Sequence, residues 1–190
     1  SAKGGVGTSS LCANLAMNIA QSHPEARVAV LDMVLPIGSI APIVGYEGDQ
    51  NIITVADMQP SETTPKFFKE HLAEMKMWQF SLLAGSPDPE SSHHLNAGRI
   101  VDVVAGLKAS YDYVLIDIGR SLSKITLPLI QSADLVSLIV STDLSTVSLT
   151  KTLWNYLKTK SISADSMYTI LNRAVGLEGL SKAEAEKMLE

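Results

Sequence analysis

Two kinds of apolar pattern alternate along the chain. Leu11, Leu15 and Ile19 recur every four positions with Asn14 and Asn18 on the other face, which predicts an amphipathic helix over residues 9–22. His23-Pro24 ends it, because the residue before a proline is pushed out of the helical region. Val28-Ala29-Val30-Leu31-Asp32 is instead an unbroken apolar run closing on a carboxylate, the pattern of a parallel strand buried on both faces. Pro36, Gly38, Pro42 and Gly45 then predict a loop of short irregular turns.

The alternation continues. Thr64-Pro65 reads as a cap and first helical residue, and Phe67, Phe68, Leu72 and Met75 mark the face of a second helix. Phe80 to Ala84 is a strand with Gly85-Ser86-Pro87-Asp88-Pro89 as its exit loop, and Ile100, Val103, Val104 and Leu107 give a third helical face. Tyr113-Val114-Leu115-Ile116-Asp117 repeats the strand-plus-aspartate shape of residues 28–32. Two more strands, Leu135 to Val140 and Met167 to Leu171, flank a helix over about Thr146 to Lys158, and Ser181-x-x-Glu184 is a capping box that opens a last helix. Strands alternating with helices imply right-handed crossovers and an α/β fold whose sheet is mostly parallel and covered on both faces. Ligands in such sheets bind beyond the carboxyl ends of the strands, where Asp32, Gly85, Asp117, Thr142 and Asn172 all fall.

The stretch Ser1-Ala2-Lys3-Gly4-Gly5-Val6-Gly7-Thr8-Ser9-Ser10 carries the chemistry. Its glycines let the backbone turn and approach a ligand, and the hydroxyls of Thr8, Ser9 and Ser10 sit where the first helix begins. Unpaired N–H groups and a positive dipole end make such a helix start a cradle for phosphate. The general pattern G-x-x-x-x-G-K-[ST] is met only in part, since Ala2 and Thr8 stand where it has Gly and Lys. Lys-Gly-Gly-Val-Gly-x-Ser resembles the deviant Walker loop of the MinD and ParA ATPases, and the order of elements follows that family over nearly the whole chain.

The resemblance implies a three-layer α/β/α P-loop NTPase fold with ATP or ADP and Mg2+ as cofactors. It implies that Lys3, Gly4, Gly5, Val6, Gly7, Thr8, Ser9 and Ser10 bind the nucleotide's phosphates, with Lys3 reaching the nucleotide of a partner subunit in a homodimer. Ser9, Asp32 and Asp117 are then the metal-side groups, Asp117 as a Walker B carboxylate and Asp32 as the first switch carboxylate. The family continues Asp-x-Asp, whereas this chain has Val34, which cannot orient an attacking water. Asn172-Arg173 matches a strand-end pair that reads the adenine edge and flanks the ring. Asp143, also at a strand end, is expected to face the partner subunit.

Composition narrows the alternatives. The chain of 190 residues is 46% hydrophobic, 18% charged and 5% aromatic, which suits one domain with a substantial core. A net charge of −5 opposes broad nucleic-acid binding, the property of an active ParA-type partitioning ATPase. The single Cys12 fits a reducing, cytoplasmic setting. It also rules out the cysteine pair with which the nitrogenase iron protein, another user of this loop, holds its cluster. His93-His94 has no further ligands at zinc spacing. No apolar run approaches the roughly 18 residues of a membrane span.

Tyr113–Asp117, Asp143-Leu144-Ser145 and Leu171-Asn172-Arg173 are most similar to the CpaE and TadZ branch, localisation proteins of pilus assembly. That resemblance implies a positioning protein with slow or absent hydrolysis, protein partners in a polar or membrane-associated assembly, and recruitment to membrane or pole without direct insertion. It also leads us to expect a strand before Lys3 and a receiver-like domain further upstream. A scaffold that has lost nucleotide altogether is the alternative to ATP binding.

Overall fold

The computed structural model describes residues 1–172 and 180–189. It falls into two compact units, one of Ser9–Ser121 and one of Ser1–Thr8 with Leu122–Glu190.

The Ser9–Ser121 unit is built on a sheet. Helix α1 (Thr8–Ser22) leads into β1 (Val28–Asp32), followed by the short helices α2 (Ile40–Val44), α3 (Ile52–Asp57) and α4 (Pro65–His71). Strands β2 (Ala73–Met75) and β3 (Phe80–Leu83) come next, then α5 (Pro89–Ser92), α6 (Ile100–Ser110) and β4 (Tyr113–Asp117). The strand order is β2-β3-β1-β4. β1 runs parallel to β3 and to β4, whereas β2 pairs antiparallel with β3. Every residue of β1 is buried, as its unalternating apolar sequence requires of a central strand.

Three sequence expectations are corrected here. The first concerns α1, whose buried positions are Ala13, Ala16 and Ala20, while Leu15 is 42% exposed. These alanines pack with Val28 and Val30 of β1 and Phe80 and Leu82 of β3. Small side chains let the helix lie close on the sheet, and a leucine stripe would hold it off. The second concerns residues 36–45, where the expected loop holds only up to Ser39 and α2 takes its place over Ile40–Val44. Pro42 is its third residue, a first-turn position whose N–H has no helical acceptor in any case. The third concerns Met75, which belongs to β2, because α4 stops at His71 and the chain turns back along β3.

The start of α2 is fixed by Asp32. Its carboxylate, fully buried at the end of β1, accepts the Ser39 and Ile40 N–H groups on Oδ2 at 2.6 and 2.7 Å. Oδ1 accepts the Val34 N–H at 3.0 Å. On α4, Thr64 caps by accepting the Phe67 N–H, and Phe68 is completely buried where α4 packs on α6, its ring lying over Gly106.

The unit of Ser1–Thr8 and Leu122–Glu190 holds α7 (Thr126–Gln131), β5 (Val136–Val140), α8 (Leu144–Thr159), β6 (Met167–Leu171) and α9 (Lys182–Leu189). β5 and β6 form a parallel two-stranded sheet. Val140, Val147 and Ala185 make its small core, flanked by Leu171, Leu180, Met188 and Leu189. The expected capping box is present: Glu184 accepts the Ser181 N–H at 2.9 Å and donates its own to Ser181 Oγ at 3.3 Å. The expected α/β class and mostly parallel pairing stand, with β2 as the antiparallel member.

Two stability predictions follow from this packing. Phe68→Ala is expected to lower unfolding free energy by about 3–5 kcal/mol, because the truncated ring leaves a cavity between two helices. Asp32→Ala is expected to lower it by about 2–4 kcal/mol by stranding buried N–H donors. Urea titrations followed by far-UV circular dichroism check both; an unchanged midpoint for Asp32→Ala would show that those donors find other acceptors.

Candidate functional site

The groups singled out by sequence fall into two clusters, one in each unit. In the first, the loop ahead of α1 turns on Gly5 (φ 79°) and Gly7 (φ 87°). Gly7 is required twice, since L-residues rarely adopt that φ and a Cβ there would stand 2.5 Å from Asn172 Nδ2. The Asn172 amide donates to the Val6 carbonyl at 2.8 Å, and the Asn172 backbone N–H donates to the Val140 carbonyl at 2.8 Å. Asn172 therefore fastens the loop to the carboxyl ends of β5 and β6. Its predicted companion Arg173 lies outside the described residues.

Lys3 reaches the same end of β5. Its ammonium donates to Asp143 Oδ1 at 3.1 Å and to Ser145 Oγ at 3.0 Å, and both charged side chains are about half exposed. Asp143 faces this lysine of its own chain. It is also the N-cap of α8, accepting the Thr146 N–H at 3.0 Å and the hydroxyls of Ser141, Ser145 and Thr146. Those hydroxyl donors hold its carboxyl well below the usual carboxylate range. Sequence reasoning missed the Lys3–Asp143 contact. The one local signal was Asp143-x-x-Thr146 ahead of an apolar run, which marks a helix cap and says nothing of a lysine 140 positions away.

The second cluster lies at the carboxyl ends of β1 and β4, where Asp32 and Asp117 stand side by side in register. Burial pushes the Asp32 carboxyl up; the Ile40 and Val34 N–H groups oppose that, and the charge of Asp117 adds to it. Gly38 and Gly85 close over it, with the Cβ of any larger residue at position 85 only 2.6 Å from Gly38 Cα and 2.9 Å from Asp32 Cγ. Both Asp32 oxygens are thus already engaged by the backbone.

Asp117 differs. It is 2% exposed and its Oδ1 accepts the Gly119 N–H at 2.8 Å, but its Oδ2 is buried with no hydrogen-bond partner among the described residues. An anionic oxygen in that condition is costly unless a cation or a cation-bound water meets it. Oxygen ligands of this kind suit Mg2+, and Ser9 supplies a hydroxyl on the first turn of α1 in the same unit. Cys12, on α1, has its thiol pushed up by burial first and by the charges of Asp117 and Asp32 next. Val34 packs against Gly119 and brings no polar atom to this cluster from its side chain.

The Thr8 hydroxyl is buried without a hydrogen-bond partner among the described residues, and Ser10 is exposed. The first turn of α1 carries no acidic residue, so the positive end of the helix is uncompensated there. Such an end, with the N–H groups of a glycine loop, accommodates phosphate oxygens.

No family model matches the chain. In sequence it is 26% identical over 147 residues to the septum site-determining protein MinD of Helicobacter pylori, a match covering 77% of this chain and 53% of that protein. It is 23% identical over 175 residues to the flagellum site-determining protein YlxH of the same organism, covering 90% and 55%. The chain spans about half the length of these curated relatives. In structure it superposes on a ParA family ATPase from Chlorobium tepidum with a TM-score of 0.81 at 22% identity, over 99% of this chain and 76% of that one. MinD of Pyrococcus horikoshii, complexed with Mg-ADP, gives 0.80 at 20% identity, over 99% and 74%. The chain therefore has the fold of the ParA and MinD structures, and in sequence it is similar to two site-determining proteins.

Proposed function

We propose that this chain is the nucleotide-binding part of a positioning protein, which binds ATP with Mg2+, dimerises when it does so and hydrolyses it slowly or not at all. The observation that carries the reading is the buried Oδ2 of Asp117, which has no hydrogen-bond partner among the described residues and so calls for a cation at the strand end. The MinD of Pyrococcus horikoshii with the same fold is complexed with Mg-ADP, which supports nucleotide and magnesium here. Ser9 and Asp117 hold the metal, and the loop N–H groups from Gly4 to Ser10 hold phosphate. Asn172 fixes the loop's shape and is the residue assigned to the adenine edge. The metal, when bound, neutralises phosphate charge.

Slow turnover follows from two residues. Thr8 stands where a cation would meet the phosphates, and a hydrogen bond to a charged group is worth about 1.5–3 kcal/mol. Val34 stands where a carboxylate would orient water. Since about 1.4 kcal/mol is tenfold in rate, the two together account for several orders of magnitude. Asp32, its oxygens already accepting three N–H groups, serves by shaping the loop beside Asp117. The CpaE and TadZ resemblance extends the reading to pilus assembly, with protein partners that place the chain at a pole or membrane. No helix among the described residues is long and apolar enough to cross a membrane.

Titration calorimetry and sedimentation test the reading. ATP affinity of the wild type should rise with Mg2+, and Ser9→Ala should lose about tenfold of that gain; identical isotherms with and without the metal would refute the assignment of Ser9 and Asp117. In Mg-ATP the wild type should sediment as a dimer and Lys3→Ala as a folded monomer. A mutant that dimerises as well as the wild type would show that Lys3 does not cross to a partner.

A further inference from the structure

One cation near the candidate metal site is unspent. Within the Ser9–Ser121 unit, the segments that follow β1, β3 and β4 are residues 33–39, 84–88 and 118–121. Arg120 is the only basic residue on them. It is exposed, and its side chain makes no ion pair or hydrogen bond among the described residues. The unit's other arginines are engaged in the fold, Arg27 with Asp112 and Arg99 with Asp102 and Thr63. We propose that Arg120 supplies the phosphate-binding cation that position 8 lacks, its guanidinium taking oxygens at the metal-bound end of the triphosphate. The inference rests on the magnesium and nucleotide reading given above and adds the residue that neutralises the remaining phosphate charge.

The turn that carries Arg120 is tied to the site. The Gly119 N–H donates to Asp117 Oδ1 at 2.8 Å, and the Ser121 N–H donates to the Ile118 carbonyl at 3.3 Å. Gly119 has a left-handed φ of 59°, and a Cβ there would lie 3.3 Å from both γ-methyls of Val34. Asp117 thus holds the turn through one oxygen, while its other oxygen is the one left for a cation. A metal in that place bridges the β- and γ-phosphates of a bound triphosphate. Such a complex keeps excess negative charge, which backbone N–H groups leave in place. A guanidinium offers a planar fork of donors that matches phosphate oxygens. Arg120 has no ion pair to break before it binds, so it gives up only hydration.

Titration calorimetry with Mg-ATP would be run on wild type, Arg120→Ala, Arg120→Lys, Thr8→Lys and Thr8→Lys/Arg120→Ala, with thermal melts to confirm that each folds. Arg120→Ala should bind about 10- to 100-fold more weakly than wild type, the cost of a lost hydrogen bond to a charged group. Arg120→Gln replaces it should the alanine variant fail to fold. In the Thr8→Lys background the same change should cost less than about threefold, because a cation already meets the phosphates there; a general loss of structure would not give that coupling. Arg120→Lys should recover part of the lost affinity, and it carries this arm if Thr8→Lys fails to fold. Wild type that binds Mg-ATP no better than Arg120→Ala, or an equal loss in both backgrounds, overturns the role of Arg120 and leaves the proposed function standing. Wild type with no affinity for Mg-ATP overturns the two together.

Discussion

A carboxylate with no exposure at the end of a central strand constrains everything packed around it. Asp32 has to be met by donors, and it is met by three N–H groups of the chain that leaves β1. Meeting them bends residues 33–40 back over the strand end and starts α2 at Ile40. The cover that makes this possible is the contact of Gly38 with Gly85, where neither position has room for a side chain. One buried charge thereby sets the exit paths of two neighbouring strands. β1 and β4 are in register, so Asp117 stands beside it, with one oxygen satisfied and the other without a partner among the described residues.

How far the sequence could be read depended on how local each cause is. The unbroken apolar run of β1 and its closing aspartate were legible, because burial on both faces dictates residue type position by position; β4, at the edge of its sheet, repeats the pattern with only Asp117 fully buried. The glycine loop was legible for the same reason: Gly7 needs both a positive φ and an absent Cβ. The face of α1 was read only in part: Ile19 does pack against the core, but counting apolar size also favoured Leu15, which is exposed, over the alanines. Contact with a sheet surface rewards close approach instead, and Ala13, Ala16 and Ala20 provide it. Pro42 was read as a loop marker, although a proline in the first turn of a helix removes no hydrogen bond. None of these misreadings moved a strand end, so the candidate residues kept their places.

Lys3 and Asp143 could not be paired from the sequence at all. Asp143 announces itself as a helix cap, and a cap is a complete local explanation that leaves no vacancy to suggest a partner. The lysine comes to it only because Asn172 draws the loop to the end of β5, through a contact 166 positions long. Long-range juxtapositions of this kind are set by topology, and no periodicity records them.

The charged groups of the two clusters differ in how firmly burial fixes them. Asp32 is wholly buried and accepts three backbone donors, and moving it would strand them; it behaves as part of the scaffold. Asp117 is nearly as buried but keeps one oxygen unspent, so a cation that meets it removes a standing penalty. Lys3 is half in water and joined to a carboxylate that is satisfied without it, so its departure disturbs little. A group that must exchange partners during function has to be held weakly, and weak holding of a charge requires exposure. The lysine's exposure and the aspartate's several other donors mean that neither group depends on the other to be satisfied.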